Sequence, residues 1–149
     1  MPCGIQFWQC SNYEIQEYNS GNAPILLMME INYDGLPHEM GKDTVTAATA
    51  VIGQLHTIYP DKSAEQLWHM LGITEMIGID DYGPPEVLSP ADAAYVENWA
   101  ARTGIAELSF WALERDNGGC VGTAGSDTCS GVAQSTWEFS HILEPFNRW

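Results

Sequence analysis

Three places in the sequence gather side chains able to handle a polyhydroxylated ligand. Asn32-Tyr33-Asp34, Asp80-Asp81-Tyr82, and Trp111 with Glu114-Arg115-Asp116 beyond it each follow an apolar-rich run. Carboxylates accept hydrogen bonds from hydroxyls, and an indole face packs on the C–H face of a pyranose ring. Each residue also has a plainer reading: Asp80 and Asp81 suit turns, and Trp111 suits a core. The shared location is what points to one site, because parallel α/β folds collect their binding residues at the carboxyl ends of strands.

The elements that must position these clusters alternate along the chain. A dense apolar run, Ala23 to Met29 and on through Ile31, ends in the turn chemistry of Asn32 to Gly35 and reads as a strand buried on both faces. Pro24 fits only at its first position. Val45, Ala48, Val51, Ile52, Leu55 and Ile58 have helical spacing, so a helix is expected from Asp43 to Tyr59, with Pro60 ending it. Ser63 to Gln66 resembles a capping box opening a shorter helix to about Leu71. Ile73 to Ile79 and Ile105 to Leu113 read as two more strands. Between them Ser89-Pro90-Ala91-Asp92 is a strong helix start, and Gly104 ends that helix. Ser135 to Glu138 is expected to cap a last helix, stopped by Pro145. This alternation predicts the α/β class with a parallel sheet. Residues 1–22 show no sustained period and are expected to be an irregular N-terminal segment before a structured unit, 23–149.

Composition narrows the function further. The 149 residues carry 20 acidic against 5 Lys and Arg side chains, a net charge of −15, with none of the five before Lys42. Nucleic acid and anionic membrane surfaces are therefore poor partners. The longest apolar stretch, Ala23 to Met29, is far short of the roughly 20 residues a membrane-spanning helix needs. No phosphate-binding glycine motif follows any strand, and no GxSxG elbow occurs. His38-Glu39 lacks the second histidine of a zinc-binding helix, and His56, His69 and His141 show no ligand spacing, so neither a metal nor another cofactor is expected. Trp68, Trp99 and Trp137 fall on predicted helices and read as core. Cys120 and Cys129 bracket a polar, glycine-rich loop in which a disulfide would limit unfolded freedom; the alternative is two free thiols. Cys3 and Cys10 have no structured context.

Several motifs, in order, carry a resemblance over Ile31 to Phe146. They are Asn32-Tyr33-Asp34, Met40-Gly41-Lys42-Asp43, Met76-Ile77-Gly78-Ile79-Asp80-Asp81 and Leu88-Ser89-Pro90-Ala91-Asp92-Ala93. Leu108-Ser109-Phe110-Trp111-Ala112-Leu113-Glu114-Arg115-Asp116 and Cys129-Ser130-Gly131-Val132-Ala133-Gln134-Ser135 follow. Together they resemble the C-terminal part of a bacterial family-18 glycoside hydrolase, a chitinase. The resemblance implies a partial (β/α) barrel comprising strands six to eight with their helices. It implies chitin or N-acetylglucosamine oligomers as ligands and an extracellular setting, although the N-terminus lacks the pattern of a secretory signal. By the same resemblance Tyr33 helps hold the substrate N-acetyl group, Trp111 floors the subsite of that sugar, and Asp34 and Asp80 face the cleft.

One departure bears on activity. The acid-bearing DxxDxDxE motif occurs nowhere in these residues, so no catalytic residue is assigned and the chain is expected to be inactive alone. A full barrel takes roughly 250 residues, and three strands leave an edge open to self-association. Two rival expectations stand beside this one: a non-catalytic carbohydrate-binding module, and a half-barrel completed by another chain.

Overall fold

Every third or fourth residue of the first helix is small or aliphatic, and the sheet beneath it is aliphatic at every second position; burying those two stripes together organises the fold. The computed structural model describes residues 26–30 and 36–148. Tyr33, Asp34, Cys3, Cys10, Pro24 and the segment 1–22 lie outside the described residues. In chain order the elements are β1 (Leu26–Glu30), α1 (Met40–Ile58), α2 (Ala64–Trp68), β2 (Leu71–Met76), β3 (Gly78–Ile79), β4 (Val87–Leu88), α3 (Pro90–Thr103), β5 (Glu107–Trp111) and α4 (Glu138–Leu143). Short 3-10 turns occupy Leu113–Arg115 and Glu144–Arg148.

Strands β1, β2 and β5 form one parallel sheet in that spatial order, as the alternation of elements predicts. The register pairs Met28 with Ile73, and Thr74 with Ser109. One face meets the helices: Met28, Leu71 and Ile73 are buried with Ala48, Val51 and Leu55 of α1 and Ala100 of α3. Glu75, on that same face, is buried and accepts a hydrogen bond from Thr44 Oγ1 of α1 at 2.8 Å. By strand alternation the opposite face carries Met29, Thr74, Met76, Ser109 and Trp111. Thr74 and Ser109 hydroxyls bond across it at 2.8 Å. Met29 is 43% and Trp111 51% exposed, so the flanking strands β1 and β5 are open on this face, whereas the central strand β2 is buried on both.

The helix starts follow their sequence signals closely. Ser63 and Gln66 close a capping box on α2, and Ser89 and Asp92 close another on α3, with Pro90 at the first helical position. Asp92 also receives Gly41 N at 3.4 Å, and a Cβ at Gly41 would meet the Asp92 side chain at 3.1 Å. The Met40 and Leu88 motifs therefore interlock α1 with α3.

Several boundaries differ from expectation: α1 starts at Met40 rather than Asp43, α2 ends at Trp68 rather than near Leu71, and β5 is the shorter Glu107–Trp111. The second strand starts earlier, at Leu71, and breaks after Met76: Gly78 turns at φ 79°, and Gly78–Ile79 pairs antiparallel with Val87–Leu88 instead. A side chain at Gly78 would overlap Ser130 O, so the turn requires glycine. The last helix starts at Glu138 rather than at Ser135, because Ser135 N and Oγ spend their donors on the Glu138 carboxylate and Trp137 takes a left-handed conformation, φ 66°. Pro145 sits within the 3-10 turn Glu144–Arg148 that continues from α4.

Candidate functional site

Trp111 ends β5 at the carboxyl edge of the sheet, paired with Met76 of β2. Leu108 and Phe110 pack toward the helices, so alternation puts the Trp111 indole on the opposite face, half-exposed. It is not a core residue. The Trp111–Ala112 peptide is cis, and Trp111 O accepts Ile77 N at 3.2 Å, which joins the ends of β5 and β2. Around this end Asp81, Tyr82, Leu113 and Glu114 are exposed. An exposed indole at the end of β5, with exposed phenol and carboxylate groups on the segments after β3 and β5, offers stacking and hydroxyl recognition.

Arg115 and Asp116 do not line that surface. Both are fully buried, because each spends its side chain on the scaffold beneath. Arg115 Nη2 donates to Ile77 O and Ile79 O, both at 2.8 Å, and Nη1 donates to Ser126 O. Burial lowers the Arg115 pKa, and the nearby carboxylates of Asp81, Asp127 and Asp80 oppose that shift. Asp116 accepts Phe139 N, Ser140 N, Ser140 Oγ and Gln134 Nε2, between 2.7 and 3.0 Å, and so anchors the start of α4. Gln134 Oε1 in turn accepts from Ser130 Oγ.

Cys120 and Cys129 form a disulfide with Cα atoms 5.9 Å apart. Their loop is pinned to β3, where Ile79 N donates to Ser130 O at 2.8 Å, and closed on itself, where Gly122 N donates to Gly131 O at 2.7 Å. The motifs around Arg115 and Ser130 are thus structural: they fix the loops bordering Trp111.

The expectation that Asp80 faces an open cleft is corrected. Asp80 is 2% accessible, and its Oδ1 accepts Tyr82 N at 2.8 Å and Gly83 N at 3.2 Å, the geometry of a carboxyl holding a turn. Its Oδ2 meets no N–H or hydroxyl donor. Glu86, also buried, comes alongside because Asp80 N donates to Glu86 O at 3.3 Å. A proton shared between the two acids gives that oxygen a partner. Burial, then the bond to Glu86, pushes Asp80 up from 3.8 to about 7.

The folded state therefore binds a proton that the unfolded chain releases near pH 4, so stability falls as pH rises through the window from about 4 to about 7. The loss is no more than about 4 kcal/mol. Asp80→Asn keeps the turn acceptor and gives Glu86 a permanent donor. Its urea-unfolding free energy is expected to lose that pH slope and to exceed the parent's at pH 8; an unchanged slope would refute the shared proton.

Among the described residues, no group of three His, Cys, Asp or Glu side chains could hold a metal, and no helix is long and apolar enough to cross a membrane. Trp68 and Trp99 meet edge to face, centroids 5.6 Å apart, and pack against the core as expected. Trp137 departs from that reading: it precedes α4 and is 45% exposed.

The fold has counterparts among known proteins, and these are chitinases: the chain resembles a part of a chitinase catalytic domain. The catalytic domain of the hyperthermophilic chitinase from Pyrococcus furiosus superposes with a TM-score of 0.76 at 34% identity, covering 82% of this chain and 39% of that one. The same figures hold for catalytic-site mutants of active domain 2 of the thermostable Pyrococcus furiosus chitinase complexed with chito-oligosaccharides. The probable bifunctional chitinase/lysozyme of Escherichia coli strain K12 is 30% identical over 111 residues, 72% of this chain but 12% of the relative's length. The chain thus spans a minor part of each. No family model matches it.

Proposed function

We propose that residues 23–149 are the C-terminal part of a family-18-type chitinase barrel, with β1, β2 and β5 as its sixth, seventh and eighth strands, and that this part binds N-acetylglucosamine oligomers. The observation that carries the reading is the Trp111 indole, half-exposed at the carboxyl end of β5, on the face that also carries the Thr74–Ser109 hydroxyl pair. Trp111 floors one sugar, Tyr33 holds its acetamido group beside Asp34, and the buried Asp80 fixes the neighbouring turn. In substrate-assisted hydrolysis the acetamido oxygen attacks the anomeric carbon while an acid protonates the leaving oxygen. The DxxDxDxE motif that would supply that acid is absent from these residues, so this part binds without turning over. The Cys120–Cys129 disulfide supports an oxidising, extracellular setting.

Calorimetric titration with chitobiose and longer oligomers tests this. Trp111→Ala is expected to weaken binding at least tenfold, about 1.5 kcal/mol or more for the lost indole contact. Equal affinity in the variant would remove the proposal's foundation, and turnover matching an intact chitinase would overturn the expected inactivity.

A further inference from the structure

A second aromatic surface lies beyond the one just described. Trp137, Leu113, Ser140, His141 and Glu144 line an open groove of about 430 Å³. The indole is 45% and Leu113 56% exposed, an apolar floor that the core does not use. Its border is polar: His141 and Glu144 stand 3.9 Å apart and are well exposed, and Ser140, whose Oγ donates to Asp116, completes the lining. Trp137 holds a left-handed conformation, φ 66°, which glycine or asparagine would adopt more easily. A large side chain kept in such a conformation and directed to solvent needs a reason beyond the fold.

The groove opens at the same end of the sheet as Trp111. Trp137 N donates to Asp116 O at 2.8 Å, and Asp116 follows the 3-10 turn that begins two residues after Trp111. The backbones of the two tryptophans are therefore within roughly 20 Å of each other. A net charge of −15 and the groove's own carboxylate disfavour an anionic guest, whereas a neutral pyranose has an apolar face for the indole and hydroxyls for the border.

We infer that the Trp137–Leu113 groove is a second saccharide platform, taking a unit of the same chito-oligosaccharide some way along the chain from the unit on Trp111. This inference rests on the reading given under Proposed function.

Titration calorimetry with chitobiose and chitohexaose separates the two. Trp137→Asn suits the left-handed backbone, and Leu113→Ser changes a surface residue, so either can report if the other fails to fold. Each is expected to weaken chitohexaose, Trp137→Asn by about tenfold, while chitobiose stays within about twofold. Chitohexaose affinity within about twofold of the parent's in both variants overturns the groove but leaves Trp111 standing, as does an equal loss for both sugars. If the parent chain binds neither oligomer, the Trp111 reading fails first and the groove falls with it.

Discussion

Arg115→Met is expected to cost the fold about 4 kcal/mol, a large share of the 5–15 kcal/mol typical of a domain. Its guanidinium, fully buried, donates to three carbonyls that come from separate segments: Ile77 and Ile79 around the β2–β3 junction, and Ser126 in the disulfide loop. Methionine fills the volume but leaves two buried acceptors, Ile77 O and Ile79 O, and the part-buried Ser126 O without donors. Arg115→Lys should rescue only part of the loss, because a single ammonium cannot span the planar fork that reaches all three. Urea-unfolding midpoints followed by circular dichroism measure this. A loss below about 1 kcal/mol would mean that solvent replaces the guanidinium easily.

Asp116→Ala is expected to be nearly as damaging, about 3–5 kcal/mol, but in a different place. Its carboxylate takes two backbone amides at the start of α4, the Ser140 hydroxyl and the Gln134 amide. Without it the first turn of α4 loses its acceptors, and α4 has no side-chain cap of its own at Trp137. Amide hydrogen exchange should accelerate across residues 138–143 well before β2 is affected. Uniform acceleration across β2 and α4 alike would count against this local role. Asp116→Asn keeps one acceptor and is expected to fall between the two.

These neighbouring residues mark where sequence reading stops. The capping boxes at Ser63 and Ser89 are legible because donor and acceptor lie three residues apart. The parallel order of strands is legible because hydrophobic runs alternate with helical periods. Glu114-Arg115-Asp116 reads as a strand-end group facing a ligand, yet two of the three are buried, with partners 11 to 38 residues away. Nothing local signals such partners. The late start of α4 has the same origin, since its acceptor comes from Asp116 rather than from Ser135.

For the candidate site, Trp111 is legible as a strand-end aromatic, and its exposure fits that position. Asp80 is expected at the end of a parallel strand, but that strand stops at Met76 and Asp80 follows the antiparallel β3, where its N–H donates to Glu86 O across the hairpin. The Trp137 groove depends on a backbone conformation that helical spacing could not anticipate.

The sheet separates its duties between its two sides. Aliphatic residues packed on α1 and α3 hold the architecture, while the other side carries the Thr74–Ser109 hydroxyl pair, the buried Met76 and the exposed Trp111. Exchanges at the exposed positions of that second side, Met29 and Trp111, leave the packed frame untouched, so the chemistry of this surface is free to drift while the scaffold stays put.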